Sequence, residues 1–205
     1  MAVRVVLTGA SGFIGSEVLR QLVARPDVTG VTCLVRRPLT EVTAGKVDVV
    51  VVEDFGRYDR DFAGHDAAIW AMGSRFAPGG DAALHERLTV DYPVRFAEAV
   101  AGRPFRFCYV SAWGSSPDGT PRILGAASAV KGRAEKALRE LEARQDGLAV
   151  YCFRPGLVQR AGTRSRLGPL SVGVDVLAGA MIHVAVDGPR DAPPVFSNAR
   201  MKAAV

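Results

Sequence analysis

Short apolar runs alternate with amphipathic stretches along most of the chain. Runs rich in β-branched or aromatic residues, which are typical of buried strands, occupy residues 3–7, 28–35, 47–52, 66–73, 105–111 and 148–153. The third run is so continuously apolar that we expect it to be buried on both faces. Stretches with apolar residues three or four positions apart predict helices at residues 13–23 and 81–101, the second of them kinked or divided by Pro93. Residues 126–143 are rich in Ala, Leu, Glu, Lys and Arg, which predicts a third helix. This alternation predicts an α/β fold with a parallel, doubly wound sheet.

The C-terminal part of the chain has a weaker pattern. Residues 172–186 are predicted to form a helix with Ser171 as its N-cap. Residues 193–196 indicate a brief edge strand, and Asn198 is predicted to cap a last helical turn.

A glycine-rich turn, Thr8-Gly9-Ala10-Ser11-Gly12-Phe13-Ile14-Gly15, joins the first strand to the first helix. Gly9 permits the tight turn, Gly12 leaves room for a pyrophosphate beside the backbone, and Gly15 lets the helix pack close to the sheet. Backbone N–H groups at the helix start would point at the phosphates. We therefore predict that a dinucleotide cofactor contacts this turn through Gly9, Ser11, Gly12, Phe13, Ile14 and Gly15.

Two arginines follow the second strand. In sites that prefer NAD(H), an acidic residue near this strand end bonds the ribose 2′-hydroxyl, whereas Arg36 and Arg37 suit the 2′-phosphate of NADP(H). We therefore predict NADP(H) as the cofactor in preference to NAD(H). The alternative is a solvated basic turn.

The ends of the third and fourth strands supply further candidate contacts. Asp54 and Phe55 follow the third strand, where the adenine is expected, and they are candidate adenine contacts. The alternative is that these residues form a capped turn. Ala71, Met72 and Gly73 end the fourth strand, where the nicotinamide ribose could approach the backbone. We expect one Rossmann domain over residues 1–205, with a cofactor-binding core at 1–156 and a short C-terminal extension on the substrate side at 157–205.

Composition narrows the class of partner. The net charge of +5 comes from scattered arginines without a basic block, so nucleic acid is not an expected partner.

No apolar run has the length of a membrane span, and residues 1–4 lead straight into a strand, which does not suit a signal peptide. Cys33, Cys108 and Cys152 lie in strand-like runs without metal-ligand spacing, which predicts buried thiols in a reducing compartment and hence a cytoplasmic protein. We expect a small-molecule substrate and a monomer or homodimer.

With these motifs in view, the chain resembles the atypical and extended short-chain dehydrogenases/reductases. The resemblance rests on Thr-Gly-x-x-Gly-x-x-Gly at the start, Asp91, Ser111, Val130-Lys131-Gly132 and Phe153-Arg154-Pro155-Gly156, and it covers nearly the whole chain. The small size and the last two segments are similar to the Tat-interacting-protein-like branch. The resemblance implies a Rossmann fold and a nicotinamide cofactor, with Pro155 and Gly156 among its contacts.

The family transfers hydride with serine, tyrosine and lysine side chains. Lys131 matches the lysine that bonds the nicotinamide ribose, but the tyrosine position, four residues earlier, is Ala127. Ser111 ends the fifth strand, whereas the family serine usually lies about two residues further on, where this chain has Trp113. Lys131 and Ser111 are therefore the candidate catalytic residues, and Trp113 is expected to shape the substrate pocket.

Three functions fit this departure from the family pattern. One is an NADP(H)-dependent oxidoreductase on a small carbonyl or related substrate, with its proton supplied by water, the substrate or another group. His85 or Asp91, on the helix after the fourth strand, could face the cleft and serve as that group. The second is a cofactor-binding sensor or interaction protein without redox turnover. The third is an isomerase, lyase or cyclase that reuses the fold, which by itself does not separate the three.

Overall fold

A computed structural model describes residues 2–39, 45–73, 81–116, 125–163, 168–188 and 191–205. Within them, seven parallel strands form one sheet: β1 Val3–Thr8, β2 Val28–Val35, β3 Val47–Val51, β4 Ala67–Trp70, β5 Phe105–Val110, β6 Leu148–Arg154 and β9 Val195–Ser197. Their order across the sheet is β3-β2-β1-β4-β5-β6-β9. The predicted doubly wound α/β fold is confirmed. The order reverses direction between β1 and β4, which is where ligands bind in sheets of this type.

Helices cover both faces of the sheet. They are α1 Phe13–Ala24, α2 Ala82–Glu86, α3 Tyr92–Val100, α4 Gly125–Glu142, α5 Val174–Ile182 and α6 Asn198–Ala203. Helices α1 and α5 pack together on one face over an aliphatic core that includes Val18, Leu22 and Leu177. Helices α3 and α4 pack on the other face over an aromatic core that includes Trp70 and Phe96. None of the helices in the described ranges is long and apolar enough to cross a bilayer.

The prediction that the third strand is buried on both faces is wrong. Strand β3 is the edge of the sheet, and the Val51 side chain in it is half exposed. A continuously apolar strand can lie either at the edge or in the centre of a sheet, so the sequence pattern could not show where β3 lies.

Two predicted helix caps are also wrong. Ser171 begins strand β8 (Ser171–Gly173), which pairs with β7 (Leu157–Gln159), and Gly173 is the N-cap of α5. Helix α6 is capped by Ser197, whose Oγ accepts the N–H of Arg200. Asn198 instead ties distant segments together, because its Oδ1 accepts the N–H of Gly156 at 3.0 Å and its Nδ2 donates to Pro169 O at 2.9 Å.

Pro93 divides the long predicted helix, as expected. A π-helical turn, Arg87–Asp91, separates α2 from α3. Pro93 has no N–H to donate to the carbonyl of Thr89 four residues earlier. The buried Tyr109 hydroxyl donates to that carbonyl at 2.8 Å, so β5 supplies a hydrogen bond in place of the one that Pro93 cannot make.

Candidate functional site

The glycine turn has the backbone geometry that its sequence predicts. Gly9 has a left-handed φ of 72°, and its carbonyl accepts the N–H of Gly12 at 2.8 Å. A Cβ on Gly15 would overlap the Gly9 carbonyl oxygen, so the helix packs on the turn only with glycine at this position. Gly12 is the N-cap of α1, and a glycine has no side chain with which to cap the helix. Its first N–H groups are therefore well suited to an anionic ligand.

A cavity of about 430 Å³ opens at the carboxyl ends of β1, β2 and β4. The glycine turn, the two arginines and the end of β4 meet around it. It is lined by Gly9, Ala10, Ser11, Gly12, Leu34, Val35, Arg36, Arg37, Pro38, Leu39, Phe55, Ala71, Met72 and Gly73. The uncapped helix start and the two guanidinium groups fit the phosphates of a dinucleotide.

Some of the predicted cofactor contacts lie outside this lining. Ile14 and Gly15 continue α1 beyond the turn, and Phe13 is exposed at the helix start. Asp54 is part of a capped turn, the alternative interpretation of its sequence, because its Oδ1 accepts the N–H of Gly56 at 2.8 Å. Its neighbour Phe55 lines the cavity instead, with the ring packed in the aromatic core.

Lys131 lies beside the end of β4. Its Nζ donates to the carbonyl of Val110 at 2.7 Å and lies 4.6 Å from the centroid of the Tyr109 ring. A Cβ added to Gly73 would lie 3.8 Å from this nitrogen. Lys131 is therefore adjacent to one end of the cavity. Burial lowers the pKa of Lys131 to about 8, although the carboxylate of Glu135 acts in the opposite direction.

Ser111 is bonded to a buried carboxylate. Its hydroxyl donates to Glu135, which is 2% exposed, and lies 3.2 Å from the hydroxyl of Ser115. Arg154, at the end of β6, donates to Glu135 through Nε at 2.9 Å and Nη2 at 2.5 Å. The hydrogen bond with Glu135 raises the pKa of Arg154. Glu135 thus joins the ends of β5 and β6.

Sequence reasoning missed Glu135. Its position four residues after Lys131 puts the two side chains on one face of α4, and this spacing was the available signal. Helical spacing alone does not reveal that Ser111 and Arg154 converge on the carboxylate, because their strands are separate in sequence.

The loop after β5 is fixed by close backbone packing. The N–H of Trp113 donates to Pro155 O at 2.8 Å, and the indole is partly exposed. A Cβ on Gly132 would overlap the carbonyl of Ser116, and one on Gly156 would overlap the carbonyl of Leu170. Pro155 and Gly156, predicted to contact the cofactor, therefore make structural contacts at the end of β6.

The remaining candidates lie in different places. His85 on α2 is buried, and its pKa is lowered by burial first and then by the charge of Lys131. Asp91 lines a separate groove together with Asp54 and Arg95. Ala127 belongs to α4, but its side chain lies outside the described residues.

Comparison with known proteins agrees with this geometry. A family model described as NAD(P)H-binding matches residues 9–181. The chain belongs to this family. Protein HTATIP2 of Rattus norvegicus is 32% identical over 170 residues, which are 80% of this chain and 66% of that protein. The chain thus spans slightly less than two thirds of this relative, and the resemblance to atypical short-chain dehydrogenases/reductases is confirmed.

Solved structures with the same fold are more distant in sequence. An oxidoreductase of the short-chain dehydrogenase/reductase family from Burkholderia thailandensis has a TM-score of 0.73 at 20% identity, over 96% of this chain and 90% of that chain. The Bordetella bronchiseptica enzyme WbmF, in complex with NAD+, has a TM-score of 0.73 at 13% identity, over 98% of this chain and 76% of that chain. At these identities the similarity shows the fold alone.

Proposed function

We propose that the chain is an NADP(H)-dependent oxidoreductase that reduces a small carbonyl compound. The observation that carries this proposal is that Arg36 and Arg37 line the same cavity as Gly12 and Gly73. Gly12 and the start of α1 would hold the pyrophosphate, and the arginines would pair with the 2′-phosphate. Lys131 would reach the ribose near Gly73. The bound cofactor would supply hydride to the substrate.

Cofactor preference is tested by calorimetric titration of the purified protein with NADPH and NADH. We expect NADPH to bind more tightly, and Arg36→Ala with Arg37→Ala to remove the difference while NADH affinity stays the same. Hydrogen bonds to charged groups contribute about 1.5–3 kcal/mol, which corresponds to roughly 10- to 150-fold in affinity. Arg57→Ala, at an exposed arginine outside the cavity, is the matched control. Equal affinities, or an unchanged preference in the double variant, would refute the NADP(H) assignment.

Turnover is tested by NADPH oxidation with a panel of ketones, aldehydes and quinones. We expect oxidation with at least one class of carbonyl compound. Two observations favour a second candidate, a cofactor-binding protein without turnover. The Ser111 hydroxyl is directed at Glu135 instead of the cleft, and Ala127 replaces the family tyrosine. Tight NADPH binding without oxidation of any panel compound would support this second function.

A further inference from the structure

We infer that Lys131 is itself the proton donor of the reaction, in the role that a tyrosine has in the family. This inference rests on the proposed carbonyl reduction and assigns the source of its proton. Three features of the structure support this role: the position of Nζ, the hydrogen bonds of two neighbouring hydroxyl groups, and the charges around the ammonium.

The position of Nζ suits direct contact with a ligand. The nitrogen lies at the carboxyl ends of β4 and β5, next to Gly73 and within hydrogen-bond distance of Val110 O. An ammonium has three hydrogens. The Val110 carbonyl takes one of them, and an ammonium can direct the other two to a ribose hydroxyl or a substrate oxygen.

Two hydroxyl groups near Lys131 donate their hydrogens to other protein groups. Ser111 donates its hydrogen to Glu135, so it has none for a substrate oxygen. Tyr109 donates to Thr89 O, and burial raises its pKa well above the ordinary value. The methyl group of Ala127 carries no exchangeable proton. Of these groups, the ammonium of Lys131 is the one that has a proton available for a substrate oxygen.

The charges that face Lys131 suit an acid at neutral pH. Glu135 lies one turn further along α4, Cys152 approaches from β6, His85 from α2 and the Tyr109 ring from β5. Burial lowers the pKa of Lys131 to about 8, and the negative charge of Glu135 limits that decrease. Lys131 is then mostly charged at pH 7, with a pKa near the operating pH, as general acid catalysis requires.

The proton balance of the step is complete. One N–H bond of Lys131 breaks and an O–H bond forms on the carbonyl oxygen, as the hydride from the reduced nicotinamide adds to the carbonyl carbon. The products are an alcohol, the oxidised cofactor and a neutral amine at Nζ, which regains its proton from water.

The first test needs no turnover. Reductive methylation with ¹³C-formaldehyde labels the four lysines, Lys46, Lys131, Lys136 and Lys202, and the pH dependence of each NMR signal gives its pKa. The signal lost in Lys131→Arg identifies Lys131. We expect its pKa near 8, the exposed Lys136 near the ordinary value of about 10.4, and a further decrease for Lys131 in Glu135→Gln. An ordinary pKa for Lys131, or no change in Glu135→Gln, would overturn the inference.

The second test separates proton donation from ribose binding. Lys131→Arg keeps a positive charge and hydrogen-bond donors but does not deprotonate, so we expect NADPH binding to persist while kcat falls about 10²–10⁴-fold. In Lys131→Ala, small primary amines should restore kcat. Lys136→Arg is the control on the same helix. In the wild type, kcat should fall above the pKa of Lys131, and in Glu135→Gln this decrease should begin at lower pH.

The possible failures are distinguishable. If the wild type reduces a carbonyl compound and Lys131→Arg does so equally well, the proton comes from elsewhere and the inference is overturned, while the proposed function stands. If the wild type oxidises no NADPH with any panel compound, the proposed function and the inference fail together. NADPH titration of each variant shows that it is folded.

Discussion

The hydrogen bond from Tyr109 to Thr89 O offers a quantitative test of how the divided helix is stabilised. Tyr109→Phe removes only the hydroxyl and keeps the ring that Lys131 contacts. Tyr109 and Thr89 are both fully buried, so the carbonyl is left without this donor in a water-free environment. Leaving a buried acceptor unsatisfied costs about 1–3 kcal/mol. A loss of about 2 kcal/mol would lower the melting temperature of a chain of this size by roughly 4–8 °C.

The background variant Pro93→Ala makes the test specific. Alanine supplies an N–H four residues after Thr89, which can donate to the same carbonyl. We therefore expect Tyr109→Phe to cost about 1 kcal/mol less in this background than in the wild type. The assay is urea denaturation of the wild type, both single variants and the double variant. An equal cost in the two backgrounds would show that Pro93 and the Tyr109 hydroxyl act independently, and would refute the reasoning.

Three further predictions concern the turn and the surface. Gly15→Ala should destabilise the fold by about 1–3 kcal/mol in urea, because its Cβ would overlap the backbone of Gly9. Gly12→Val should abolish NADPH binding in calorimetry while the circular dichroism spectrum stays native, because its branches would occupy the place of the pyrophosphate. The hydrogen bond with Arg25 lowers the pKa of Asp27 to about 2, so Arg25→Met should cost stability above about pH 4, and the cost should disappear as pH falls towards 2.

Each of these predictions has its own control or contrary outcome. Gly45→Ala is the control for the turn, because nothing lies within 4 Å of a Cβ there. Wild-type NADPH affinity in Gly12→Val would mean that this glycine serves only the turn. A cost of Arg25→Met that is the same at pH 6 and pH 3 would show that the ion pairs of Arg25 with Asp27 and Asp187 do not cause it.

The cofactor half of the site could be predicted from sequence because its signals are local. Gly9, Gly12 and Gly15 lie within one turn between a strand and a helix, and Arg36 and Arg37 follow directly on the next strand. Parallel strands bring their carboxyl ends to the same edge of the sheet, so the fold class alone brings these residues together. The cavity that these segments line follows from that arrangement.

The rest of the site depends on contacts between segments distant in sequence. The bond between Ser111 and Glu135 joins a strand end to a helix 24 residues later, and that between Arg154 and Glu135 joins a helix to a strand 19 residues later. No local pattern indicates such pairs. From the sequence, Asp54 and Phe55 are both candidates for the adenine, and only the fold determines that Phe55 lines the cavity while Asp54 caps a turn.

The chain departs from the family at two positions, with Trp113 at the serine position and Ala127 at the tyrosine position, and the two departures are best understood as one change. In the family, serine orients the carbonyl while tyrosine gives it a proton. The candidate serine of this chain, Ser111, instead bonds Glu135, which also binds Arg154. Restoring the tyrosine alone would leave the substrate carbonyl without the serine hydroxyl that orients it in the family. We therefore expect Ala127→Tyr to oxidise NADPH no faster than the wild type on any panel compound. General acid catalysis typically contributes about 10²–10⁴-fold, so a gain of that size would show that the Ser111 hydroxyl had remained available to the substrate.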